Sequence, residues 1–174
     1  MNRSEFNSCA GLVNEKDINA AIAAYHHAIA EGKDPFQVML EMQTGLQVAL
    51  SEKFDWVPNP TKLETCGEML DWMQRMDDAI ADETRELYTS LGGMSNGKDA
   101  SAIWKMWKKN HGEARARKFS ELSPEDQLEV KFEFVDAIHF ILSKMIPLGI
   151  DAQELFILYY LKNAENFARQ ERGY

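Results

Sequence analysis

Cysteine is scarce in this chain. Only Cys9 and Cys66 occur among the 174 residues, far apart and in no ligand spacing. That excludes a disulfide scaffold and a cysteine-built zinc site, and it fits a reducing compartment. Excess positive charge is also missing: 19 lysines and arginines face 28 acids, a formal net charge of −9. Such a balance argues against polymeric nucleic acid as a partner. It leaves a single nucleotide open, because bound Mg²⁺ and a few local cations can neutralise a triphosphate. No run approaches the roughly 18 apolar residues that span a bilayer, and the opening MNRSEFNSCAGL has no signal-peptide apolar region. Repeats, low-complexity stretches and strand-type hairpins are absent too. The expectation is one domain over residues 1–174, cytoplasmic and without a membrane partner.

What is present is helical periodicity almost throughout. Hydrophobic residues make up 45% of the chain, enough for a real core. The alanine-rich NEKDINAAIAAYHHAIAEG closes on Gly32, and the next segment opens on Asp34 as N-cap with Pro35 at the first helical position. Thr61 and Glu64 have capping-box spacing ahead of a helix expected to run to about Leu91. GGMSNGKDAS reads as a glycine-rich loop, and AIWKMWKKNHGEARARKF as a short helix followed by charged chain. Ser123 and Pro124 start a helix that Pro147 and Gly149 should stop near Ile146. Asp151 and Glu154 open the last one. The fold class is all-α, a bundle of five or six helices.

Two of these helices carry acids on or beside apolar faces. Glu83 and Glu86 stand at i, i+3, next to the stripe of Met73, Met76, Ile80 and Leu87. Glu133 and Asp136 stand at the same spacing inside KFEFVDAIHFILSKMI, which is apolar almost all round and reads as a buried helix. Buried carboxylates that also repel one another need cations. Two sources are open. One is an oxygen-only cage for Mg²⁺ or Mn²⁺. The other is a set of buried ion pairs with Arg85, Lys131 or Lys144. His139, three residues past Asp136, reads as a satisfied core histidine.

Cations that could serve phosphate occur in two places. Lys162, Asn166 and Arg169 form a narrow stripe on the final helix, followed by Gly173 and Tyr174. Trp104, Lys105, Trp107 and Lys108 interleave indoles with lysines, which suits base stacking and phosphate contact as well as plain helix packing. No serine or cysteine nucleophile is set beside a histidine and an acid, so a metal-activated water is the simpler nucleophile.

Taken together, ExxE at Glu83 and Glu86, WKMWK, ExxDxxHF from Glu133 to Phe140, and KNxxNxxRQxxGY from Lys162 to Tyr174 resemble the all-α NTP pyrophosphatases. The likeness is to the dimeric dUTPase-like branch, related more widely to the MazG superfamily, with its nearest resemblance among T-even-type phages, and it covers nearly the whole chain. It implies an enzyme that cleaves dCTP and dUTP to the monophosphate and pyrophosphate with two or more Mg²⁺ ions. Glu83, Glu86, Glu133 and Asp136 would hold the metal, and Glu83 would also orient or deprotonate the attacking water. Lys162, Asn166, Arg169 and Tyr174 would hold the phosphate chain, with Lys105 and Lys108 in support. For the base, the family stretch LQxxLN corresponds to MQTGLQ, so Gln43 fits and Gln47 replaces an asparagine. Gln43, Gln47, Trp104 and Trp107 are the base-binding candidates. A homodimer is implied, with nucleotide-synthesis enzymes as candidate protein partners. The competing expectations are a dUTP-only hydrolase and a non-catalytic helical adaptor. A longer gap between the acid pairs also departs from the family pattern, and its role is open.

Overall fold

The computed structural model describes residues 15–173, and Tyr174 lies outside them. The described chain is all-α and contains no strand. Six α-helices follow in order: α1 (Glu15–Ala30), α2 (Pro35–Lys53), α3 (Cys66–Ser90), α4 (His111–Ala116), α5 (Pro124–Leu148) and α6 (Ala152–Arg172). Short 3-10 turns occupy Pro60–Lys62, Met94–Ile103 and Phe119–Glu121. The chain forms two compact units: Met1–Ala24 with Met73–Ile141, and Tyr25–Trp72 with Leu142–Tyr174.

Local chemistry explains most boundaries. Gly32 ends α1 at φ +70°, where a side chain would be strained. Asp34 Oδ1 accepts the Phe36 N–H at 2.8 Å ahead of Pro35, and Asp151 Oδ1 accepts the Glu154 N–H at 2.8 Å. The start of α3 corrects the sequence reading. Its capping box is Thr65 with Glu68, not Thr61 with Glu64: Glu68 Oε2 accepts the Thr65 N–H at 2.9 Å, and Thr65 Oγ1 accepts the Glu68 N–H at 3.2 Å. Asn59 instead caps the Pro60 turn through the Thr61 N–H, at 3.0 Å. Both pairs have the right spacing, and Pro60 already commits the first to a separate turn.

In the second unit the core gathers Trp72, Leu40, Leu142, Met145 and Ala152, all buried. Pro147 sits inside the last turn of α5. The Trp72 indole N–H donates to the Ser143 carbonyl at 2.9 Å, one turn before that proline.

In the first unit, the segment between the acid-bearing helices is not an open loop. It winds through Met94–Ile103 with a kink at Gly97 (φ 60°, ψ −126°) and is tied down on several sides. The Trp104 indole donates to Thr89 Oγ1 at 3.1 Å, and His111 Nδ1 lies 2.7 Å from the Ala102 carbonyl. Buried Asp126 on α5 accepts the Ser95 N–H at 2.9 Å and the Ser95 hydroxyl at 2.6 Å. Burial pushes the Asp126 carboxyl up, but hydrogen bonds from Ser95 and Ser123 and from the Met94 backbone together outweigh it and hold it below its ordinary value. Its stabilisation is therefore present above the unfolded carboxyl range and is lost as pH falls through the lowered folded value. Removing the hydroxyl in Ser95→Ala is expected to cost about 1–2 kcal/mol, read as a lower Tm with the fold retained. No change in Tm would show that this latch holds nothing.

Helix α5 departs from expectation on its outer side. Phe134, Val135 and Ile141 are exposed, so it is not buried all round. His139 is exposed rather than in the core.

Candidate metal and nucleotide site

Glu83 lies in the C-terminal half of α3, two turns after buried Met76 and within a turn of half-buried Ile80 and Leu87. Glu133 and Asp136 lie one helical turn apart on α5 in the same unit. Each of the three acids is half-buried, and each offers a carboxylate oxygen within 4.8 Å of the others. Glu86 is exposed and stands outside this tight group. Its charge nevertheless leads the neighbouring charges that act on both Glu83 and Glu133.

The electrostatics are those of uncompensated acids. Desolvation raises Glu83 above the usual carboxylate range, with Glu86, Asp136 and Asp82 adding repulsion. Glu133 is pushed up to about 7, first by desolvation and then by Glu86, Glu83, Asp136 and Glu129. Ion pairing does not relieve them through Arg85, whose guanidinium contacts Asp82 at 3.0 Å instead. Glu129, one turn before Glu133, was not singled out from sequence, although its i−4 spacing was the available signal.

The base candidates fall into two groups. Gln43 and Gln47, one turn apart on α2, are buried, and their amide nitrogens converge on Ser143 Oγ at 2.8 and 3.3 Å. Trp104 lines a groove of about 340 Å³ with Tyr88, Leu91, Ile103 and Arg115, and Lys105 Nζ lies 4.8 Å from the Trp104 ring centroid. Trp107 is 76% exposed and lines no part of that groove. Lys108 donates to the Lys98 carbonyl, so here its ammonium serves the 3-10 turn.

On α6, Lys162, Asn166 and Arg169 are exposed. Glu165 divides the expected cationic stripe. One of its oxygens, Oε1, takes Arg169 Nε at 3.0 Å and Arg172 Nη2 at 2.8 Å. Arg172 and Glu165 were not singled out from sequence, though both lie in the terminal motif.

The fold and this cluster define an all-helical protein with an oxygen-only acid group of the size that holds a divalent cation. No protein-family model and no solved structure matches the chain. Curated relatives do. It is 56% identical over 173 residues to a dCTP pyrophosphatase of Enterobacteria phage LZ5, covering 98% of this chain and 99% of that protein. It is 49% identical over 172 residues to the dCTP pyrophosphatase of Enterobacteria phage T4, again covering 98% and 99%. A DNA replication protein of phage T4 is 48% identical over 161 residues, and the match spans 41% of that longer protein. The chain belongs to the phage dCTP pyrophosphatase family.

Proposed function

We propose that this protein hydrolyses dCTP, and also dUTP, to the nucleoside monophosphate and pyrophosphate in a Mg²⁺-dependent reaction. The observation that carries the reading is the Glu83–Glu133–Asp136 cluster, in a chain so similar to dCTP pyrophosphatases along its whole length. The donor set fits the ion. Three carboxylates within 4.8 Å, half-buried and short of cations, match a hard divalent metal better than zinc. Bound there, Mg²⁺ would neutralise phosphate oxygens that a chain of net charge −9 otherwise repels.

The remaining work falls to side chains. Glu83 orients or deprotonates the attacking water from its half-buried place in the acid cluster. Glu86 adds negative charge next to the cluster and completes the ligand set. Lys162, Asn166, Arg169 and Tyr174 hold the phosphate chain, with Lys105 and Lys108 as further cations; for Arg169 this means exchanging Glu165 for phosphate. Gln43 and Gln47 contact the base, and Trp104 offers it an aromatic face. Trp107, so far exposed, enters the site only if the segment around it rearranges. The 174 residues act as one catalytic domain, with the dimeric dUTPase-like fold. A homodimer is favoured by the six consecutive exposed residues Phe156 to Leu161 on α6 and by the outer side of α5. The setting is the cytoplasm of the infected cell.

Product analysis with dCTP, dUTP, dTTP and dATP, each with Mg²⁺ and with chelator, tests this reading. The expected result is dCMP and dUMP with intact pyrophosphate, abolished by chelator. Release of orthophosphate, or turnover unaffected by chelator, would overturn it.

A further inference from the structure

Gln43 and Gln47 do not simply line α2. Both are buried, at 3% and 7% exposure, and both turn the nitrogen of the amide toward one atom, Ser143 Oγ. Ser143 is itself fully buried, and its carbonyl is held by the Trp72 indole at 2.9 Å. The acceptor is thus fixed from the backbone outward. Nothing in the sequence marked this serine, which comes from a different helix some hundred positions along the chain.

A primary amide has a donor end and an acceptor end, and anchoring one fixes the direction of the other. With Nε2 committed to Ser143, the opposite end of Gln47 is a carbonyl oxygen. No side-chain nitrogen or oxygen is left buried without a partner among the described residues. Position 47 is also where MQTGLQ carries glutamine against the asparagine of the stretch LQxxLN that it resembles.

We propose that Ser143 is a specificity-determining positioning residue, which orients the Gln47 amide beside Gln43 so that the Gln47 carbonyl oxygen meets the pyrimidine at its 4-position. This rests on the reading that these two glutamines contact the base. Cytosine carries an amine at that position and donates to such a carbonyl. Uracil carries an oxygen there, and two facing acceptors leave both unpaired, which discriminates far more strongly than a difference in size. Ser143 would therefore set a preference for dCTP without touching the nucleotide.

The test compares kcat/KM for dCTP and dUTP side by side. In Ser143→Ala the Gln47 amide loses this anchor. The ratio of dCTP to dUTP efficiency is expected to fall about tenfold, mainly through KM for dCTP, while the thermal transition stays cooperative. An unchanged ratio in a folded Ser143→Ala protein overturns the proposal. Gln43→Ala and Gln47→Ala separate the two levels of inference. If they lower efficiency while Ser143→Ala leaves the ratio alone, the serine fails and the base reading stands. If both glutamine variants match the parent on both nucleotides, the base reading fails and takes the proposal with it. A measurement on the unaltered protein guards against a misfolded variant. The 2-pyrimidinone deoxynucleoside triphosphate, with hydrogen at the 4-position, is expected to fall between dCTP and dUTP. A rate below that of dUTP overturns the proposal.

Discussion

Glu133→Gln is expected to lower Mg²⁺-dependent cleavage of dCTP roughly a thousandfold or more while leaving a folded protein. The amide keeps the shape of the carboxyl and loses the charge that a divalent ion needs. The same change has an opposite effect on the metal-free protein. Glu133 is pushed up to about 7 from an ordinary 4.5, by desolvation and by Glu86, Glu83, Asp136 and Glu129. Between those two values the folded protein binds more protons than the unfolded chain. Stability therefore falls as pH rises through that window. The penalty is on the order of 1 kcal/mol, because water screens a half-exposed carboxyl. Thermal unfolding in chelator should show the variant gaining on the parent as pH rises from the ordinary carboxyl value of 4.5 to about 7. A variant that keeps more than about a tenth of the parent efficiency at saturating Mg²⁺ removes Glu133 from the ligand set.

Gly92→Ala should damage the fold severely for a single added methyl. A Cβ at this position would lie 1.8 Å from the Ala100 carbonyl oxygen and 2.6 Å from its carbon. These are backbone atoms of a fully buried residue, so no rotamer change relieves the overlap. The Gly92 carbonyl also accepts from Asn96 Nδ2 at 2.8 Å, and shifting it disturbs the turn that follows. A loss of about 3 kcal/mol or more is expected, a fall in Tm of roughly 6–12 °C. Gly45→Ala is the matched control. Nothing lies within 4 Å of its added methyl, and the helix interior favours alanine, so a gain of about 0.5–1 kcal/mol is expected. If Gly92→Ala melts with the parent, the close approach of Ala100 is not what holds the segment.

The sequence revealed helices wherever a cap and a periodic face agreed, as at Asp34, Ser123 and Asp151. It misled where two caps competed, because Thr61 and Thr65 satisfy one spacing rule and only the position of Pro60 separates them. The acid cluster was legible because carboxylates on an apolar face are costly, and the cost shows in a single helix. Glu86 could not be told from Glu83 in this way, since facing depends on the partner helix. Ser143 was invisible because a serine on an apolar helix carries no signal until its distant glutamines are in place. The glycine-rich stretch read as open loop because its order comes from close backbone packing and from the latch to Asp126, neither of which has a periodicity. Helix α5 read as wholly buried because composition counts apolar residues without saying what covers them.

Pro147 has no N–H, so it cannot supply the donor that the Ser143 carbonyl would ordinarily receive from one turn ahead. The Trp72 indole provides it instead. A defect in one helix is thereby repaired from another, and the repair makes the proline codon depend on a remote tryptophan codon. Phenylalanine at position 72 would fill the same volume and strand that oxygen. An ordinary residue at position 147 would restore the helical donor, and the second lone pair of the carbonyl would still accept the indole. Across descendants of this gene position 147 should therefore change with Trp72 kept, whereas Trp72 should be lost only where position 147 has regained an N–H.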